Sequence, residues 1–331
     1  MSSAIPLKKP VTDPKGYRVV HRTPAIEHDE RADVIAGLLA NPARVSPKYF
    51  YDELGCALYG AICQLPEYYP TRTEIALFRE HRAEIAEAVG QGGQFIDLGA
   101  GDCCKAEGWL PFVNPKRYLA VDIAGPEVER SLARMAPDFP EIEMVGVVTD
   151  FSRKLDLDGL LERGPVTFFY PGSSIGNFTP TEARVFLSGV RRYFDGRPGS
   201  GLLIGVDGKK EKARLDAAYD DALGVTAAFN RNALLHLNSK FGFDFVLDGF
   251  VHRGFYNEPQ GRVEMHLEAV RDQTVRLGNR VRPFAKGERI HTENSYKYQP
   301  ETFVALLKEA GFASGRTWTS PGGEYSVYFA A

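Results

Sequence analysis

The 331-residue chain has only four cysteines, Cys56, Cys63, Cys103 and Cys104, with neither a C-x-x-C pair nor a zinc-ligand spacing. No metal site is expected, and the simplest reading is free thiols in a reducing cytoplasm. Adjacent Cys103 and Cys104 read as inert packing before they read as a redox pair. No apolar run approaches the length of a membrane span, and MSSAIPLKKPVTDPKGYRVV has no apolar core of a secretory signal. Net charge is only −3, so neither nucleic acid nor a membrane surface is an expected partner. No internal repeat or low-complexity tract is present, and nothing calls for an obligate assembly, so a cytoplasmic monomer is expected. What remains is a chain with 44% hydrophobic and 25% charged residues, long enough to bury a large core in two structural units.

The organising stretch is QFIDLGAGDCCK, Gln94 to Lys105. Phe95, Ile96 and Leu98 form a short apolar run around Asp97 that breaks at Gly99-Ala100-Gly101. This predicts a buried parallel strand ending in a tight turn, where glycine lets backbone pass against a ligand. Alone, D-x-G-x-G is a weak signal. Two later strand ends strengthen it. The run Arg117 to Val121 ends in Asp122, 21 residues past Gly101, where an acid can accept from ribose hydroxyls. The run Met144 to Val148 leads to Asp150-Phe151, an acceptor for an exocyclic amine beside a ring that can stack. A dinucleotide fingerprint needs a third glycine near the helix start, and Asp102, Cys103, Cys104 and Lys105 stand there instead. An acidic turn suits a cationic, phosphate-free cofactor, S-adenosylmethionine.

The pattern predicts an α/β fold, a mostly parallel Rossmann-like methyltransferase sheet with an antiparallel edge and an inserted α+β substrate-binding unit. Strands are expected near 94–98, 117–121, 144–148, 166–170 and 201–206, with a closing hairpin near 315–319 and 324–330 around Pro321-Gly322-Gly323. Residues 1–28 read as an extended arm with little packing of its own. Helices are expected over 29–40, over 52–64 with Leu54, Leu58, Ile62 and Leu65 buried, and from a Thr71–Glu74 capping box through Val89. Thr179-Pro180-Thr181-Glu182 starts another helix. The loop before it, Gly172 to Asn177, leaves the carboxyl end of a strand, which places Asn177 to touch a substrate. Helices over 209–222 and 225–238, then strands in FVLDGFVHR, RVEMHLEAV and ERIHTENSYKY, interrupt the alternation before ETFVALLKEAG closes the core at Gly311. The expected division is an arm (1–28), a substrate-binding unit (29–71 with 209–298) and a cofactor core (72–208 with 299–331).

Four unusual strings, LPEYYPTRTE (65–74), GSSIGNFTP (172–180), AYDDALGVTAAFNRN (218–232) and RIHTENSYKY (289–298), resemble the ergothioneine-pathway L-histidine Nα-methyltransferases, and the likeness runs from about Ser46 onward. That family trimethylates the α-amine of histidine to hercynine with S-adenosylmethionine. The resemblance implies cofactor contacts at Gly99, Lys105, Asp122, Asp150 and Phe151, with Tyr51 at the junction of the cofactor and substrate sites. It implies that Asn177 and Tyr219 hold the carboxylate and amine, and that Tyr68, Met265, Glu293 and Ser295 recognise the imidazole. Asn177 and Tyr51 are the residues expected nearest the reacting atoms. Asn294 and Tyr296 differ from some members, which bears on affinity rather than on substrate choice.

The residue types are also chemically sensible in themselves. A histidine ring offers N–H donors that a carboxylate such as Glu293 and a hydroxyl such as Ser295 can orient. An apolar ring would leave that carboxylate unpaired, a cost of about 1–3 kcal/mol or more. An Nα-methyltransferase for a tryptophan-like amino acid, or a non-catalytic cofactor-binding protein, are the competing readings.

Overall fold

The computed structural model describes residues 16–22 and 29–331. Its strands are β1 (Tyr17–His21), β2 (Ala43–Arg44), β3 (Gln94–Leu98), β4 (Arg117–Asp122), β5 (Glu143–Val148), β6 (Val166–Tyr170), β7 (Gly201–Asp207), β8 (Phe250–Asn257), β9 (Arg262–Ala269), β10 (Gln273–Leu277), β11 (Arg280–Phe284), β12 (Arg289–Tyr296), β13 (Gly315–Thr319) and β14 (Tyr325–Ala330). The core strands β3, β6 and β7 are buried at every position, which is why their sequences run apolar instead of alternating.

An eight-stranded sheet runs in the order β1-β5-β4-β3-β6-β7-β14-β13. Pairing is parallel from β1 through β7, and β14 runs antiparallel to both β7 and β13. The sequence direction reverses between β3 and β6, so the loops leaving those two strands open a crevice at their carboxyl ends. One face of the sheet packs on the helices Pro180–Arg191 and Pro300–Glu309, the other on Tyr69–Glu80, Arg82–Val89 and Gly125–Met135.

A second, four-stranded sheet, β2-β12-β9-β8, packs with the helices Glu53–Ile62, Lys212–Tyr219 and Val225–Phe241 around its own hydrophobic cluster. β9 pairs antiparallel with β8 and β12, and the β9–β12 register slips between His291 and Glu293. That bulge leaves Thr292 pointing into the core, where its hydroxyl lies 2.8 Å from Asn230 Oδ1 and 2.9 Å from the Met265 carbonyl oxygen, with one hydrogen to give between them. Glu293 is thereby re-aimed opposite Met265.

Several expectations are corrected. Tyr17–His21 is an edge strand registered on β5 from Tyr17–Met144 to His21–Val148, so this part of the arm is packed. Residues 1–15 and 23–28, including its four prolines, lie outside the described residues. The Thr71–Glu74 capping box does not form. The helix starts at Tyr69 without a side-chain cap, ends at Glu80, and a second begins at Arg82. The Thr179–Glu182 capping box does form. In the helix Glu53–Ile62, Leu54 faces solvent and Gly55 is buried, because a Cβ at Gly55 would stand 1.6 Å from the Phe50 carbonyl oxygen. The hairpin of β10 and β11 was not expected.

Candidate active site

The glycine turn after β3 has the anticipated backbone. Gly99 and Gly101 have φ of 71° and 52°, in the left-handed region that favours glycine. The Gly101 N–H donates to Asp122 Oδ2 at 2.9 Å and Ala124 N–H to Oδ1 at 2.8 Å, so the turn and the tip of β4 hold one another. Burial raises the Asp122 carboxyl, and these backbone donors oppose the rise. Phe151 stands over the turn, its Cζ 3.8 Å from where a Gly99 Cβ would lie. Asp150 accepts from Lys48 at 3.1 Å. Gly99, Asp122, Asp150 and Phe151 are thus gathered at the ends of β3, β4 and β5.

Lys105 connects this turn to the loop after β6. Its Nζ lies 2.6 Å from Glu74 Oε2 and 3.2 Å from a Cβ position at Gly172. Glu74 is fully buried and also accepts from Gly172 N–H at 2.7 Å and Tyr325 O–H at 2.6 Å. Asp97, on β3, accepts from Tyr118 O–H at 2.9 Å and is pushed by burial up to about 7.

Beside the loop after β6 lies a small cavity of about 50 Å³, lined by Gly172, Ser173 and Ser174 of that loop. Tyr51, Tyr68, Asn177, Tyr219, Met265, Glu293 and Ser295, seven residues from six separated segments, all line it. Tyr51 also lines a second cleft of about 270 Å³ with Ile123 and Ala124, which follow Asp122. Tyr51 therefore stands between the two spaces, as a junction residue must. Asn294 and Tyr296 line neither cleft. Asn294 faces His291 at 2.9 Å, and the Tyr296 hydroxyl accepts from Arg262 at 2.6 Å.

Tyr59 and Phe229 were not singled out from the sequence. Both line the cavity, with ring centroids 5.9 and 5.7 Å from that of Tyr51 and 6.0 Å from each other. Tyr68 continues the aromatic wall to Tyr219 at 6.1 Å. Burial first, and the Glu293 charge second, raise the Tyr51 phenol, and burial likewise raises those of Tyr59, Tyr68 and Tyr219. None is a phenolate near neutral pH. Only their helical spacing could have signalled Tyr59 and Phe229, and core aromatics share that spacing.

Among the described residues Glu293 is the one carboxylate in the cavity wall. Burial pushes it up to about 7, with the Lys297 charge and a hydrogen bond from Asn177 opposing. Across the back wall Tyr219 and Ser295 share a hydroxyl–hydroxyl hydrogen bond at 2.8 Å. No cluster of three or more potential metal ligands occurs among the described residues. No helix there is long and apolar enough to cross a membrane.

Residues 30–331 match the family of histidine-specific, S-adenosylmethionine-dependent methyltransferases. The chain belongs to that family. It is 40% identical over 306 residues to the histidine N-alpha-methyltransferase of Mycolicibacterium smegmatis, covering 91% of this chain and 94% of that one. Ergothioneine biosynthesis protein 1 of Neurospora crassa is 30% identical over 299 residues, which cover 88% of this chain and 33% of that longer protein. The 4-dimethylallyltryptophan N-methyltransferase of Claviceps purpurea is 23% identical over 331 residues, covering 93% and 96% of the two chains. S-adenosylmethionine is the methyl donor of the family, and the residues around the turn fit it. Around the turn stand acceptors in Asp122 and Asp150, a ring in Phe151 and a cation in Lys105, residue types that suit a cofactor with a ribose, an adenine and a carboxylate.

Proposed function

We propose that this chain methylates the α-amine of L-histidine through its mono- and dimethyl forms to hercynine, the first step of ergothioneine biosynthesis. The observation that carries the reading is the meeting of Glu293 and Ser295 with Asn177 and Tyr219 in one aromatic-walled cavity that shares Tyr51 with the cleft beside Ile123 and Ala124. Glu293 accepts the ring N–H, and the Tyr219–Ser295 wall supplies the hydroxyl contact. Met265, opposite Glu293, and Tyr68 close on the faces of the ring. Asn177 and Tyr219 hold the carboxylate and amine, and Tyr51 stands nearest the cofactor.

When bound, S-adenosylmethionine supplies an electrophilic methyl group for in-line displacement by the neutral amine. The protein contributes alignment, which can account for about 7–11 kcal/mol of a barrier, and exclusion of water. As the nitrogen gains methyl groups it becomes a fixed cation. The faces of Tyr51, Tyr59 and Phe229 are suited to that cation, with about 0.5–2 kcal/mol available per contact. We assign 29–71 with 209–298 to substrate binding and 72–208 with 299–331 to the cofactor, in a cytoplasmic monomer.

The test is to incubate the protein with S-adenosylmethionine and histidine and to look by mass spectrometry for mono-, di- and trimethylated product. Cofactor binding without product would leave a non-catalytic binding protein. Turnover of a tryptophan derivative in preference to histidine would move the chain toward its Claviceps relative. Glu293→Ala should abolish histidine turnover far more than cofactor binding, and equal loss of both would refute the assigned role.

A further inference from the structure

A buried ammonium stands behind the back wall of the pocket, in a place the methyl transfer itself does not require. The Lys297 side chain is fully buried, and its Nζ lies 2.8 Å from Ser295 Oγ, 2.9 Å from the Tyr219 hydroxyl and 2.8 Å from Asp207 Oδ2. All three of its donors are engaged. Asp207 also accepts from Tyr69 at 2.6 Å and from Lys210. Burial disfavours the charge on Lys297, but Asp207 and Tyr219 outweigh it and hold the ammonium above its ordinary value. Lys297 and Lys210 in turn outweigh the burial of Asp207 and keep it ionised.

Donor counting then decides what the pocket sees. A hydroxyl has one hydrogen and two lone pairs. Tyr219 and Ser295 use one hydrogen between them, and each oxygen already accepts from Lys297. Whichever of the two accepts the shared hydrogen has both lone pairs occupied and its own hydrogen free. Toward a ligand that hydroxyl is a donor and nothing else, while its partner, its hydrogen spent, keeps one lone pair and can only accept.

We propose that Lys297 is a positioning and specificity-determining residue that locks the Tyr219–Ser295 pair into presenting a hydroxyl donor, so that the pocket selects a ring with one N–H and one unprotonated nitrogen. This rests on the histidine reading above. Neutral imidazole matches it, giving its N–H to Glu293 and receiving the hydroxyl on its other nitrogen. Imidazolium, with two donors, and pyrrole, with no acceptor, each leave a buried group unpaired. The titratable groups around Glu293 are Lys297 on the continuation of its own strand, Tyr51, Tyr219, and Tyr59 and Tyr68 across the cavity, with Asp207 beyond Lys297.

The experiment is calorimetric titration of the full chain, with S-adenosylhomocysteine bound, against histidine and pyrrolylalanine at pH 8, where both rings are neutral. Wild type should prefer histidine by about 10- to 100-fold. Lys297→Met should lose most of that preference and still bind S-adenosylhomocysteine as wild type does. Full retention of the preference, or an equal loss of affinity for both amino acids, overturns the assignment. Should the single variant not fold, Lys297→Met with Asp207→Asn, which leaves neither charge facing an empty partner, is read in the same way.

Wild type alone gives an independent answer with trimethylated histidine, whose quaternary nitrogen carries no proton. Titrated at pH 6 in buffers of different ionisation enthalpy, its binding should release protons from the ring and from Glu293. The release should vanish by pH 8. Net uptake or no exchange at pH 6 overturns the proposal. If wild type neither binds nor methylates histidine, the functional reading fails. If it does both and only the Lys297 results disagree, this inference alone fails.

Discussion

Glu293→Gln should make the empty protein more stable and the enzyme worse. Folding carries this carboxyl from 4.5 to about 7, so the native state binds its proton roughly 300-fold more tightly than the unfolded chain. At about 1.36 kcal/mol per tenfold, the ceiling is about 3 kcal/mol, and partial exposure to the cavity trims it to about 1–3 kcal/mol. Below about pH 4.5 both states carry the proton and the cost is absent. Between about pH 4.5 and 7 the unfolded carboxyl ionises first and wild type loses stability, and above about pH 7 the loss is constant. Glutamine cannot ionise, so the variant escapes this loss. Urea denaturation of both ligand-free proteins at pH 4.5 and pH 8 measures it: the variant's advantage should grow by about 1–3 kcal/mol between the two. Histidine affinity should fall by about 10- to 100-fold as a charge-assisted acceptor is lost. An advantage equal at the two pH values, or a variant less stable at pH 8, would show that Glu293 is not held against its own ionisation, and the recognition argument would lose its basis.

Two further substitutions separate the cofactor side from the substrate side. Gly176→Ala puts a Cβ 2.8 Å from the Tyr296 carbonyl oxygen and 3.1 Å from its nitrogen, both backbone atoms that cannot turn aside. The Asn177 turn should be pushed off β12, costing about 1–3 kcal/mol and raising KM for histidine while S-adenosylmethionine affinity stays unchanged; equal effects on both ligands would argue against it. Lys105→Met should weaken cofactor binding in a titration and lower stability by on the order of 3 kcal/mol, because it strips the cation from buried Glu74. Adding Glu74→Gln should restore the melting temperature without restoring cofactor affinity, and joint recovery of both would contradict the role given to Lys105.

The parallel core was legible because its strands are buried on both faces, so their apolar runs, the glycine turn and the acids at their tips report directly on a ligand-binding crevice. Glu74 shows the limit. Thr71-Arg72-Thr73-Glu74 is a sound local signal for a helix start, yet the carboxylate is taken by Gly172, Tyr325 and Lys105, at separations of 98, 251 and 31 residues. Fully burying a carboxylate with three donors outweighs a capping interaction of about 1 kcal/mol. The Tyr17–His21 strand was missed because an edge partner is chosen by register with β5, and its own sequence carries little alternation. The pocket's membership came from the family resemblance that the four unusual strings carry, since no spacing rule joins Tyr51 to Glu293. Lys297 lay inside one of those strings and was not singled out, because its three acceptors are supplied by β7, the helix Lys212–Tyr219 and Ser295.

The stretch from Thr292 to Tyr298 joins recognition to architecture. The bulge at Thr292 aims Glu293 and Ser295 into the cavity, Tyr296 meets Gly176 backbone to backbone, and Tyr298 N–H donates to the Asp207 carbonyl at 3.1 Å. These contacts fasten the second sheet to the end of β7, the strand that also carries the carboxylate neutralising Lys297. Glu293 is the exception within the stretch, because it faces open cavity and folding works against its charge. Substrate preference in this scaffold should therefore change most readily at Glu293 and its cross-strand neighbour Met265, where a substitution removes strain or volume without breaking the seam. Ser295, Lys297 and Asp207 form one hydrogen-bonded unit, and altering any one of them shifts the polarity of the pocket and the joint between the two sheets together.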